Sequence, residues 1–248
     1  MISKVNRAIV LAAGRGKRLG YITDLLPKPM VCIAGQPLLE YAINDLKSSG
    51  ITEILLVVGY RLEDIISHFG NGSKFGVSLT YVTQEIPNGT GSAIALGAEF
   101  AKNEPVFVRF GDIFTSPQHT LDLLKDYEDN PCDALLGCNF VEDPFAGAAV
   151  YRDGDRIVRI VEKPAPGTST SNWNPGGLYI FGPRLMSALG TLPVSPRGEY
   201  EVTSAYQTVI DNGGDIRVHE MHGYWSDVGT EEAYIEARNL AQSAIPSR

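Results

Sequence analysis

The chain has 248 residues, 44% hydrophobic and 20% charged, and a formal net charge of -8. That length suits one α/β domain able to bury roughly 70% of the surface its unfolded chain exposes. The acidity argues against the nucleic-acid backbone as a main partner, and no apolar run approaches the roughly 20 residues of a bilayer span.

The opening MISKVNRAIV carries no export signal, and three cysteines without paired short spacings read as buried thiols of a cytoplasmic protein. A homo-oligomer is allowed. Through residue 30 the charged groups are Lys4, Arg7, Arg15, Lys17, Arg18 and Lys28 against Asp24 alone, so positive charge gathers near Gly14 and Gly16.

In chain order, the apolar run from Arg7 to Ala13 predicts a buried strand that delivers a loop at Gly14. A helix follows over Pro37–Ser49, with Leu38, Leu39, Ala42 and Leu46 at helical spacing, then a strand over Glu53–Gly59. The alternation continues with a helix at Arg61–Phe69, a strand at Leu79–Thr83, a helix at Gly91–Ala101 and a strand at Val106–Phe110. The last strand places Asp112 on the same rim as the first loop, where open α/β sheets bind ligands.

After a helix at Gln118–Asp129 the texture shifts to strands at Ala134–Cys138, Ala148–Tyr151, Arg156–Glu162 and Gly177–Phe181. Helices are expected at Tyr200–Asp211 and Thr230–Leu240, separated by a strand at Ile216–His222. The fold class is therefore α/β. His68 and His119 stand isolated, and His219 and His222 fall on opposite faces of a strand, which disfavours a metal pair.

The stretch from Leu11, LAAGRGKRLGYITDLLPKPM, combines glycines that let backbone amides approach an anion with four basic side chains. A lone Gly-x-Gly reads as an ordinary turn. Here a strand precedes it, and Pro27 and Pro29 restrict the backbone presenting Lys28. A dinucleotide fingerprint would need glycine at Leu19, and a P-loop would need Gly-Lys-Ser/Thr.

With these residues the chain resembles the sugar-1-phosphate nucleotidyltransferase family, in the short form without a β-helical domain. The resemblance continues through Gln84, Gly89-Thr90-Gly91, Gly111-Asp112, Gly147, Glu162-Lys163-Pro164, Gly177-Leu178-Tyr179, Arg197-Gly198-Glu199 and Trp225 to Thr230. It implies a Rossmann-like three-layer αβα sandwich with a mixed, mostly parallel sheet. Residues 1–248 would form one catalytic domain, with 1–130 mainly holding nucleotide and 131–248 mainly holding sugar phosphate.

The resemblance also implies roles. Ala13, Gly14, Gly16 and Arg18 would hold the triphosphate, with Lys28 near the reacting phosphates and Gln84, Gly89 and Thr90 at the base. Asp112 would serve both nucleotide and metal, pairing with Asp227 on Mg²⁺ or Mn²⁺. Gly147, Glu162 and Tyr179 would line the sugar pocket, and Lys163 and Arg197 would meet the sugar phosphate. Arg18, Lys28 and Lys163 would be the catalytic cations.

The implied reaction joins an NTP (dTTP, UTP or GTP) to a sugar 1-phosphate and releases pyrophosphate. A sensor without turnover and a nucleotidyltransferase for phosphocholine remain the alternatives. Two departures stand out. Ile113 follows the metal aspartate where the family often has asparagine, and no repeat-built extension follows the Thr230–Leu240 helix, so no acetyltransferase activity is expected.

Overall fold

The computed structural model describes residues 4–16 and 26–243. The described residues begin with β1 (Arg7–Ala12), β2 (Cys32–Ile33), β3 (Gln36–Pro37), α1 (Leu38–Ser48), β4 (Glu53–Val58), α2 (Leu62–Phe69) and β5 (Ser78–Thr83). Next come α3 (Thr90–Ala95), α4 (Ala98–Ala101), β6 (Val106–Phe110), β7 (Phe114–Thr115), α5 (Gln118–Asp129), β8 (Ala134–Phe140), β9 (Ala148–Asp153) and β10 (Arg156–Glu162). The remainder is β11 (Trp173–Phe181), α6 (Pro183–Leu189), α7 (Val202–Asp211), β12 (Ile216–Glu220), β13 (Trp225–Ser226) and α8 (Glu231–Ser243).

One mixed sheet orders its strands β5-β4-β1-β6-β11-β8-β12-β10-β9. The four strands from β5 to β6 are mutually parallel, and only β11 and β10 run against the other strands. Period-two alternation splits the strands between two cores. Ile9, Leu55, Val57 and Val108 face Ile94, Leu185 and Tyr206, from α3, α6 and α7. Ala8, Val10, Leu56 and Phe107 face Leu39, Ile65 and Leu123, from α1, α2 and α5. The result is the expected three-layer sandwich.

The chain steps outward from β1 to β4 and β5, then crosses to β6 on the other side of β1. That reversal parts the loops after β1 and β6 and opens a crevice at their carboxyl ends. Gly111 sits at its base, with its N–H donating to Leu11 O at 2.8 Å.

Besides the two-residue strands β2, β3, β7 and β13, which the sequence reading lacked, three elements differ from the pattern read in the sequence. The helix expected over Gly91–Ala101 divides into α3 and α4 at Leu96 and Gly97, where the chain lies so close to β1 that a Cβ on Gly97 would be 2.4 Å from Ile9 Cδ1. Helix α6 has no counterpart, being short and lacking a side-chain N-cap. Strand β11 starts at Trp173 rather than Gly177, because an irregularity between Pro175 and Leu178 carries the turn-like Pro-Gly-Gly within the ladder. Among the cysteines Cys138 is buried, Cys132 is half-buried and Cys32 is exposed, so the expectation of three buried thiols fails at Cys32.

Candidate active site

The loop after β1 presents Gly14 with open space where a side chain would stand. Gly16 adopts φ +74°, and a Cβ there would meet Lys28 Cβ at 2.6 Å. Glycine thus serves two needs at this position, a left-handed backbone and room for the lysine stem. Lys17 and Arg18 lie outside the described residues. Arg15 packs over the Tyr60 ring.

Arg7, counted with this basic cluster in the sequence, sits at the opposite end of β1 and pairs with Glu53 and Glu104 at 3.1 and 2.7 Å. It belongs to the scaffold. A strand separates its two ends by its whole length, which a linear count of charges cannot register.

Lys28 opens a single 3-10 turn, Lys28–Met30, between two prolines and is 5% exposed. Its ammonium donates to Asp112 Oδ2 at 2.6 Å and to the carbonyl of Asp227 at 2.5 Å. Oxygens from both expected metal residues therefore converge on one cation. Asp227 Oδ1 also accepts the Gly229 N–H at 3.1 Å, and Val228 beside it takes φ +40°, an unusual conformation for a β-branched residue.

Gln84 follows β5, and its Nε2 donates to Gly89 O at 3.1 Å and Ser92 Oγ at 3.2 Å. Gly89 has φ +127° and lies so near Tyr200 that a Cβ would be 2.4 Å from its carbonyl oxygen. Two backbone hydrogen bonds, Tyr200 N to Asn88 O and Gly91 N to Tyr200 O, tie this loop to the segment before α7. Ala13, Gly14, Lys28, Gln84, Gly89 and Thr90 line the resulting cleft of about 290 Å³.

A second cavity of about 600 Å³ adjoins it, lined by Gly147, Glu162, Lys163, Tyr179, Asp112 and Asp227 among others. Thr90, Phe110, Asp112 and Glu199 border both spaces. The two cavities meet at Asp112. Lys163, at φ +39°, donates its N–H to Gly147 O at 2.8 Å and so locks two cavity walls together.

Burial and the neighbouring Glu201 carboxylate raise the pKa of Glu162, against the opposing pull of Thr203, Lys163 and Arg197. Tyr179 is buried, with its hydroxyl accepting the Gly177 N–H at 3.0 Å. Arg197 pairs with Glu201, Glu199 and Glu162 at 3.4, 3.8 and 3.9 Å.

Three contributors escaped the sequence reading. Asn174 accepts Ala148 N–H at 3.2 Å and donates to Asn139 and to Pro175 O, which buttresses the Gly147 turn from below. Glu201 is 6% exposed and sits two residues beyond the Arg197-Gly198-Glu199 motif, where its carboxylate lines the cavity. Trp225 closes another side, its indole N–H donating to Gly176 O at 2.6 Å. Trp225 opened a quoted motif without being given a role, Glu201 lay just beyond another, and Asn174 carried no local signal.

Comparison with known proteins gives a consistent picture. The model of the Nucleotidyl transferase family matches residues 7–244. The chain is 34% identical over 236 residues to the low-salt glycan biosynthesis nucleotidyltransferase Agl11 of Haloferax volcanii, covering 94% of this chain and 65% of that protein. It is 32% identical over 240 residues to the UTP--glucose-1-phosphate uridylyltransferase AglF of the same organism, covering 95% and 96%. A Bacillus anthracis structure in complex with a sucrose, assigned as a glucose-1-phosphate thymidylyltransferase, superposes with a TM-score of 0.86 at 28% identity over 98% and 97% of the two chains.

Proposed function

The chain belongs to the nucleotidyl transferase family, and from its two-part cleft we propose that it transfers the nucleotidyl group of an NTP to a sugar 1-phosphate, releasing pyrophosphate. The observation that carries this reading is the meeting of the two cavities at Asp112 beside Lys28. One space suits a base and triphosphate, the other a sugar. The chain's two halves divide accordingly, residues 1–130 mainly serving the nucleotide and 131–248 the sugar phosphate.

A sugar phosphate needs no general base, because its second pKa of about 6 leaves it largely ionised at neutral pH. One of its oxygens attacks the α-phosphorus in line, the bond to the bridging oxygen breaks, and pyrophosphate leaves with that electron pair. Gly14 and Gly16 let backbone amides reach the triphosphate, while Lys28 neutralises charge at the reacting centre. Lys163, exposed at the cavity wall, holds the sugar phosphate facing it. Arg197, on turning from its glutamates, adds a second positive charge there.

Asp112 and Asp227 would hold Mg²⁺, with Mn²⁺ as its substitute, because both line the larger cavity beside Lys28 and this ion needs only one or two carboxylates plus substrate phosphates. When bound, it supplies charge neutralisation to the triphosphate. Glu162 and the Gly147 turn orient the sugar. No helix among the described residues is long and apolar enough to cross a membrane, and we propose the cytoplasm, where nucleoside triphosphates are available, as its compartment.

The test is a matrix of dTTP, UTP, GTP, CTP and ATP against several sugar 1-phosphates with Mg²⁺, scored by pyrophosphate release. At least one pair should turn over, and activity should disappear with excess chelator. Silence across the matrix defeats the reading.

A further inference from the structure

Five buried polar residues form two bonded sets, Asp45 with Arg109 and Thr120, and Thr115 with His119. Asp45, Arg109, Thr115, His119 and Thr120 are each at most 8% exposed. Arg109 lies on β6 three residues before Asp112, pairs with Asp45 at 2.8 Å and donates to Thr120 Oγ1 at 3.1 Å. His119, in the first turn of α5, acts electrostatically on Asp45.

The ring of His119 reaches the segment that leads to Asp227. Its Nε2 is 2.8 Å from His222 O, and its Nδ1 is 2.5 Å from Thr115 Oγ1. The same hydroxyl lies 3.0 Å from Tyr224 O. A carbonyl can only accept, so Nε2 carries a hydrogen. The threonine has a single hydroxyl proton, which can serve Nδ1 or Tyr224 O, but not both.

The charge on the ring decides between them. A neutral imidazole accepts the hydrogen bond of the Thr115 hydroxyl, and Tyr224 O retains the weaker Ser116 N–H at 3.3 Å. An imidazolium donates from Nδ1 to Thr115, which frees the hydroxyl for Tyr224 O. All three contacts then close. The carbonyls so held precede β13, which pairs with β7 and runs directly into Asp227.

We propose that His119 is a positioning residue for Asp227, fixing the segment from His222 to Asp227 against β7 most tightly when its ring is doubly protonated. This deepens the transfer reading and rests on it for its catalytic consequence. The charged groups packed around the ring are Asp45 of α1, which interacts with it electrostatically, and Arg109 of β6, which pairs with Asp45. Tyr224, whose carbonyl shares the Thr115 hydroxyl, has Glu236 of α8 as its charged neighbour.

The experiment uses the whole protein with Trp173→Phe, leaving Trp225 as its single tryptophan. Acrylamide quenching of Trp225 and kcat are followed from about pH 5 to 9, the range in which histidines titrate. Quenching should rise with pH in one transition that both His119→Gln and Thr115→Val abolish and the conservative Thr115→Ser restores. The ratio of wild-type to His119→Gln kcat should be about 10 to 100 in acid, typical of a residue orienting a ligand, and shrink as pH rises, with KM for the NTP nearly unchanged. A quenching profile without a transition, or one that survives both variants, overturns the proposal. Lack of turnover by the parent protein defeats the transfer reading instead, and the quenching profile still decides the role of His119.

Discussion

The cleft that we assign to the nucleotide is built where parallel strands end, whereas the cavity that we assign to the sugar is built where antiparallel strands turn back. In the first, Gly14, Gly16 and Lys28 follow β1 and Asp112 follows β6, so short segments deliver each group to the rim. In the second, Gly147 depends on Asn174, Lys163 on Gly147 and Glu162 on Glu201, partners drawn from distant stretches. The two halves should therefore fail differently. Damage to the first should strike turnover, and damage to the second should strike recognition of the sugar.

Asp112→Asn tests the junction and should have the largest effect. Removing one preorganised electrostatic contact at a reacting centre costs about 10² to 10³ in rate. We expect that loss in kcat with an unchanged circular dichroism spectrum. Near-normal pyrophosphate release by this variant would falsify the role of the residue.

Glu162→Gln probes the sugar half. A buried hydrogen bond to a charged group contributes about 1.5 to 3 kcal/mol, so KM for the sugar phosphate should rise about 10- to 100-fold while KM for the NTP holds steady. Its stability should move the other way. The folded-state pKa of Glu162 is raised, chiefly by burial, so the stabilisation its protonated form supplies is present in acid and lost as pH rises through that value. The variant should therefore melt higher than wild type at neutral pH and converge with it in acid. Equal melting temperatures at pH 7 would show that burial imposes no such cost.

Gly147→Ala should be milder. The new Cβ would fall 2.1 Å from Asn174 Oδ1, so the amide must move and release Ala148 N–H. A several-fold rise in KM for the sugar phosphate, with kcat nearly intact, is expected from steady-state kinetics. Cys32→Ser should change neither kinetic constant, because this exposed thiol lies outside both cavities. Inactivation by that substitution would place a reactive group where the geometry has none.

The same contrast explains what could be read from the sequence. Apolar runs such as Arg7–Ala13 and Glu53–Gly59 revealed the parallel strands because burial on both faces leaves no alternation to misread. Asp112 stood out because a strand-end carboxylate is visible locally, whereas Gly89 stood out only through the family resemblance. Asn174 and Glu201 acquire meaning only through partners 26 and 39 residues earlier, Ala148 and Glu162. His119 read as isolated for the same reason: its contact with His222 O spans 103 residues.

Transfer to the sugar phosphate is tested with a sugar 1-phosphate whose phosphate oxygens are enriched in ¹⁸O, turned over with the best NTP from the matrix. Attack by the sugar phosphate on the α-phosphorus predicts that the label appears in the NDP-sugar, in amounts equal to the pyrophosphate formed, and that the pyrophosphate is unlabelled. Label in the pyrophosphate, or pyrophosphate formed without sugar phosphate present, would contradict the account.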